Sequence, residues 1–175
     1  LAKEIYETYH HELASIPGVH PHFGDSAKLL PEIVAGLDDA PALFWLDGHW
    51  SGGETAGEGQ ECPVVDELNC LKHRQQDLIL IDDARMFLSA PPLPHQPEQW
   101  PTIAEIAYLV GEDRFVQVID DVIFIVGQNA QIKDALIGYA QAQAEAAIQS
   151  TKVPKLTRLA RKLFQRTTTA DASEC

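Results

Sequence analysis

The chain is poor in cysteine, in long apolar runs and, over most of its length, in basic residues, and each shortage removes a class of protein. Cys62, Cys70 and Cys175 make no CxxC pair and no zinc-ligand spacing. An odd, sparse set of this kind fits reduced thiols in a cytoplasmic protein and not a disulfide framework. No apolar stretch approaches the ~18–20 residues that span a bilayer. No charged segment followed by an apolar one opens the chain at Leu1, so the sequence is expected to be a processed or internal piece. No repeat appears at any period. Residues 1–150 carry 24 acidic and 7 basic side chains, a net of −17, and the last 25 carry 6 basic and 2 acidic, a net of +4. A body this acidic repels phosphates, which disfavours a DNA- or RNA-binding role. What is present, 45% hydrophobic and 22% charged over 175 residues, is the composition of one ordinary globular domain.

Apolar positions at Ile5, Tyr6, Tyr9 and Leu13 predict a helix over Ala2–Leu13, stopped by Pro17-Gly18. Val19–Phe23 reads as a short strand ending in Gly24-Asp25-Ser26. Helical spacing resumes at Leu29, Leu30, Ile33, Val34 and Leu37, with Ser26 placed as the cap. Ala42–Asp47 and Leu78–Asp82 are apolar runs that stop at acids, as strands buried on both faces of a parallel sheet do. Between them lie a glycine-rich loop, Gly48–Gly59, and a helix over Pro63–Arg74. A proline-rich loop, Pro91 to Pro101, precedes a helix at Ile103–Val110. Arg114–Val118 and Val122–Val126 predict an antiparallel hairpin, and Gln131–Gln149 a helix. Strands alternating with helices before a closing hairpin make an α/β fold. In such sheets ligands bind outside the carboxyl ends of the strands, where Asp47, Asp82 and Asp83 emerge.

Three carboxylates at one edge repel unless a positive charge sits among them. Mg²⁺ binds through a few carboxylates, waters and substrate oxygens, so Asp47, Asp82 and Asp83 are candidate metal ligands. Singly, each Asp also has an ordinary use as a cap. His49 points to the same side as Asp47 on an extended strand end, as a general base, a ligand or a substrate contact. Arg85 either neutralises this edge and grips an anionic substrate or pairs with a neighbouring acid. His95 and Trp100 are substrate contacts if the proline-rich loop covers the edge, and surface packing otherwise. Glu61 reads as a favourable charge at a helix start, Asp120-Asp121 as turn residues, and His10, His11, His20 and His22 as structural.

Leu46-Asp47-Gly48-His49-Trp50-Ser51-Gly52-Gly53 and Ile81-Asp82-Asp83-Ala84-Arg85, with the final hairpin, resemble class I S-adenosylmethionine-dependent methyltransferases. More narrowly they resemble metal-dependent O-methyltransferases acting on sugars of macrolide and aminocoumarin natural products. The resemblance covers about Leu1 to Gly127. It implies an α/β, Rossmann-like methyltransferase sheet truncated at its N-terminus, with the first two strands and the glycine-rich cofactor loop absent. It implies Mg²⁺ or a similar divalent cation on Asp47, Asp82 and Asp83. Asp47 or His49 would take the proton of a hydroxyl on a sugar or other small molecule. Asp25 and Ser26 match the position that contacts the cofactor adenosine. The full-length parent would be the enzyme and this chain by itself inactive. A non-catalytic binding or partner module that lacks the cofactor site, and a metal-dependent hydrolase using the same acids, are the alternatives.

The partial methyltransferase-like domain is expected over residues 1–149, and a basic amphipathic helix with a disordered tail over 150–175. In the segment 150–166, Val153, Leu156, Ala160, Leu163 and Phe164 follow helical spacing among six Lys and Arg. Such a helix docks on the acidic body, on a partner or on an anionic membrane surface. Docking on the body predicts protease protection of this segment in the intact chain and no preference of its peptide for anionic over neutral vesicles. A marked preference for anionic vesicles would assign it to membranes instead.

Overall fold

The apolar runs Leu43–Leu46 (β1) and Leu78–Ile81 (β2) pair in parallel, with Leu43 opposite Leu78 and Leu46 opposite Ile81. β2 is paired on its other side, antiparallel, by Val122–Val126 (β4), and β4 by Phe115–Ile119 (β3). The result is an open, mixed four-stranded sheet in the order β1-β2-β4-β3, within a mixed α/β fold. The computed structural model describes residues 3–50, 52 and 59–151, and six α-helices lie among them.

Side-chain alternation explains why one face of this sheet holds the core. Phe44 and Leu46, Ile79 and Ile81, Val116 and Val118, and Ile123 and Ile125 occupy alternate positions and join one apolar cluster. Ile79 sits opposite Ile125 and Ile81 opposite Ile123, all at most 2% exposed. Each such burial is worth about 1.5–3 kcal/mol, so these two pairs anchor the sheet. Val64–Leu71 (α3) adds Val64, Leu68 and Leu71 to the cluster, and Ile103–Val110 (α5) adds Ile106. A capping box of Thr102 and Glu105 sets the start of α5. Ser26–Ala35 (α2) packs on α3, and α3 on α5.

Two expectations are corrected. Val19–Phe23 is not a strand and pairs with nothing in the sheet. Pro21, in its middle, has no N–H for a ladder, and Phe23 packs instead on Tyr6 of Lys3–Ala14 (α1), ring centroids 5.3 Å apart. The cap of α2 is Asp25, which accepts from Ala27 N at 3.0 Å, so Ser26 is the first helical residue. β1 is left as an edge: among the described residues no strand pairs with its far side, and Leu43 and Trp45 are 62% and 52% exposed.

After β2 come a single helical turn, Arg85–Leu88 (α4), and a 3₁₀ turn at Pro97–Gln99. The chain divides into two compact units, Leu1–Lys133 and Asp134–Cys175. The sheet, α1–α5 and the first turn of Ala130–Thr151 (α6) belong to the first, and the rest of α6 is the described structure of the second. The basic segment expected at 150–166 lies outside the described residues beyond Thr151. Among the described residues no helix is long and apolar enough to cross a membrane.

Gly127 ends β4 where it passes Gln75, and a Cβ there would stand 1.9 Å from the Gln75 carbonyl oxygen. Gly127→Ala is expected to destabilise the protein by about 2–3 kcal/mol. Gly59→Ala, with open space at its Cβ, is expected to stay within about 0.5 kcal/mol of the parent. Urea unfolding followed by circular dichroism distinguishes the two, and equal midpoints would refute the packing account.

Candidate functional site

Since Leu46 and Ile81 are opposite one another, the residues that follow them, Asp47 and Asp82, leave the sheet at the same edge. Asp82 N donates to Leu46 O at 3.1 Å, carrying the pairing one residue further. Gly48 then passes through a space that admits no side chain. A Cβ at this position would lie 2.7 Å from Ser26 Oγ and 3.2 Å from Glu67 Oε1. Beyond it, His49 reaches the loop after β2: its Nε2 lies 2.9 Å from Asp83 Oδ2, and its Nδ1 faces Asp47 Oδ1 at 3.7 Å. The imidazole is only 6% exposed, whereas the Asp47 side chain is 52% exposed. An ionised carboxylate only accepts, so Nε2 donates to Asp83, and in the neutral ring the lone pair is then on Nδ1. At 3.7 Å Asp47 does not engage that lone pair.

Asp83 adopts φ 54°, a left-handed conformation that Asp tolerates better than most residues. While Oδ2 holds His49, Oδ1 takes Arg85 Nη2 at 2.6 Å. Arg85 also pairs with Asp121. Of the two expectations for Arg85, pairing with acids is what the structure contains. Asp121 does more than form a turn. Ala84 N donates to its carbonyl at 2.8 Å and Arg85 N to its Oδ1 at 2.8 Å, so the β3–β4 hairpin secures the loop that presents Asp83. Asp120 and Asp121 have φ 49° and 67°, both positive as the type I′ hairpin turn requires.

The sequence-predicted His95 and Trp100 come together on Glu61. Trp100 Nε1 donates to Glu61 Oε2 at 2.7 Å, Gln96 N to the same oxygen at 3.1 Å, and His95 Nδ1 lies 3.2 Å from it. Burial pushes the Glu61 carboxyl up, and the hydrogen bonds from Trp100, Gln96 and His95 outweigh it, leaving it below the ordinary glutamate value. The Trp100 ring lies 5.4 Å from the His49 ring, tilted by 59°.

Asp25 and Ser26 are occupied locally. Asp25 caps α2 and pairs with Lys28 at 2.8 Å, a bond that, first among its contacts, lowers its carboxyl. Ser26 lies beside Glu67 of α3, which sequence reasoning missed because it reads as an ordinary helix acid. Glu67 is 2% exposed, and burial pushes its carboxyl above the usual range, with the Ser26 hydroxyl offsetting part of the effect. A void of about 10 Å³, room for one water, lies among Leu46, Gly48, His49, Cys62, Glu67 and Phe87. Burial pushes the Cys62 thiol to about 12, which removes it as a nucleophile at neutral pH.

Asp47, Asp82 and Asp83 thus share an edge, as the sequence implied, but their side chains do not form a Mg²⁺ donor set. Both Asp83 oxygens are committed, Asp82 Oδ1 accepts from Asp83 N at 2.8 Å, and His49 stands between Asp47 and Asp83. Among the described residues no group of three or more His, Cys, Asp and Glu is arranged to hold a metal ion. Arg85 supplies the positive charge instead. Asp25 and Ser26 make their bonds to α2 and to Glu67 of α3. No protein-family model, curated protein or solved structure matches the chain.

Glu67 generates a pH prediction. Its folded-state carboxyl lies above the ordinary 4.5, so the stability it contributes is full below that value and is lost as pH rises through the folded one. Glu67→Gln is expected to gain stability relative to the parent across that rise. Unfolding free energies at a series of pH values check this, and parallel pH profiles would refute it.

Proposed function

We propose that this chain carries the acceptor-activating part of an S-adenosylmethionine-dependent O-methyltransferase that acts on a hydroxyl of a sugar or other small molecule. The observation that carries this reading is the His49–Asp83 bond of 2.9 Å, with His49 Nδ1 free on the side of the exposed Asp47. The pairing of β1 with β2, followed by an antiparallel hairpin, supports the Rossmann-like sheet that the resemblance implies. The open edge of β1 is the side on which further strands would continue it.

A hydroxyl approaching from the Asp47 side meets the Nδ1 lone pair. His49 takes its proton as methyl transfer proceeds, and Asp83 stabilises the resulting imidazolium through Nε2. Arg85, paired with Asp83 Oδ1, orients the carboxylate toward His49 for that task. Asp47, with Oδ1 3.7 Å from Nδ1, receives the proton on its way to solvent. The cofactor, when bound, would supply the methyl group.

Calorimetry of the full-length gene product with S-adenosylmethionine is expected to detect binding. With labelled cofactor and a panel of sugar and phenolic acceptors, His49→Ala and Asp83→Asn are each expected to lower kcat by about 10²–10⁴. Absence of cofactor binding would overturn the reading and favour a non-catalytic module.

A further inference from the structure

Glu61 has no part in that proton transfer, yet it is 1% exposed and among the most heavily bonded side chains of the first unit. A buried carboxylate is strongly unfavourable without donors. If Glu61 served only to start α3, its donors would be the first N–H groups of that helix. They come instead from residues 95–100: the Trp100 indole, the Gln96 amide and the His95 ring. The main chain of Glu61 joins in, donating to Gln99 Oε1 at 2.8 Å and accepting from Trp50 N at 2.7 Å. One residue therefore ties the connection between β1 and α3 to the end of the proline-rich loop.

The consequence falls on His49. Asp83 constrains the imidazole at Nε2, and Trp100 lies against the ring, with Phe87 a further 5.5 Å from Trp100. Without Glu61 the indole N–H has no acceptor, and the Trp100 ring loses the bond that sets its orientation.

We propose that Glu61 is a positioning residue, which holds the Trp100 indole so that Trp100 sets the plane of His49 and shields the His49–Asp83 bond from water. The inference rests on the His49–Asp83 reading, and one experiment separates the two. In the full chain uniformly labelled with ¹⁵N, solvent exchange of the His49 Nε2–H is measured by NMR beside the backbone amides of β2 and β4. The parent is expected to show slowed exchange that Asp83→Asn abolishes. Glu61→Met, which removes the acceptor, and Trp100→Phe, which removes the donor but keeps an aromatic ring, are each expected to raise it about tenfold while the β2 and β4 amides stay unchanged. Exchange in both variants within twofold of the parent overturns the proposal. An equal rise at the strand amides also overturns it, since Glu61 would then serve stability alone. If Glu61→Met fails to fold, Trp100→Phe decides by the same criteria. If Asp83→Asn changes nothing, the His49–Asp83 pair itself fails, and the role of Glu61 with it.

Discussion

Because Leu46 lies opposite Ile81, the chain leaves β1 and β2 at the same height, and the polar edge follows from that register. A slip of one residue would turn Phe44 and Leu46 away from the core that Ile79 and Ile81 share with Ile123 and Ile125. The apolar pairs thus hold the acids in place at a distance. Gly48 completes the constraint, since a Cβ there would stand 2.7 Å from Ser26 Oγ and press on Glu67 Oε1 and Pro63.

Charge at this edge is balanced by hydrogen bonding within the chain. Asp83 meets Arg85 on one oxygen and His49 on the other, and Arg85 is shared with Asp121 from the hairpin turn. Arg85 is 62% exposed, so its ion pairs add at most about 1 kcal/mol to stability, and their value lies in orientation. The two buried glutamates nearby show the same rule from opposite sides. Glu61, met by three donors, is held ionised, whereas Glu67, for which burial dominates, is pushed toward its neutral form.

Much of the fold was legible because its signals are local. The unbroken apolar runs of β1 and β2, the alternation of β3 and β4, and the helical run of α5 after the proline-rich loop each lie within a few residues of one another. Val19–Phe23 misled because its apolar ends satisfy a strand pattern, while strand formation also needs a partner and an unbroken row of N–H groups.

The candidate site divides along the same line. By itself the sequence determined that Asp47, His49, Asp82 and Asp83 gather at the carboxyl end of two parallel strands, since strand direction and strand ends are properties of short segments. Only the tertiary structure decided what those groups do to one another. His49 meets Asp83 across 34 residues of chain, the Arg85 main-chain N–H meets the Asp121 carboxylate across 36, and Glu61 meets Trp100 across 39. A hydrogen bond requires its atoms within about 3 Å and in line, and no periodicity in the chain encodes that for residues so far apart. A pattern of acids can therefore announce a polar edge, but whether that edge takes a metal ion or closes on its own histidine and arginine is settled by packing alone.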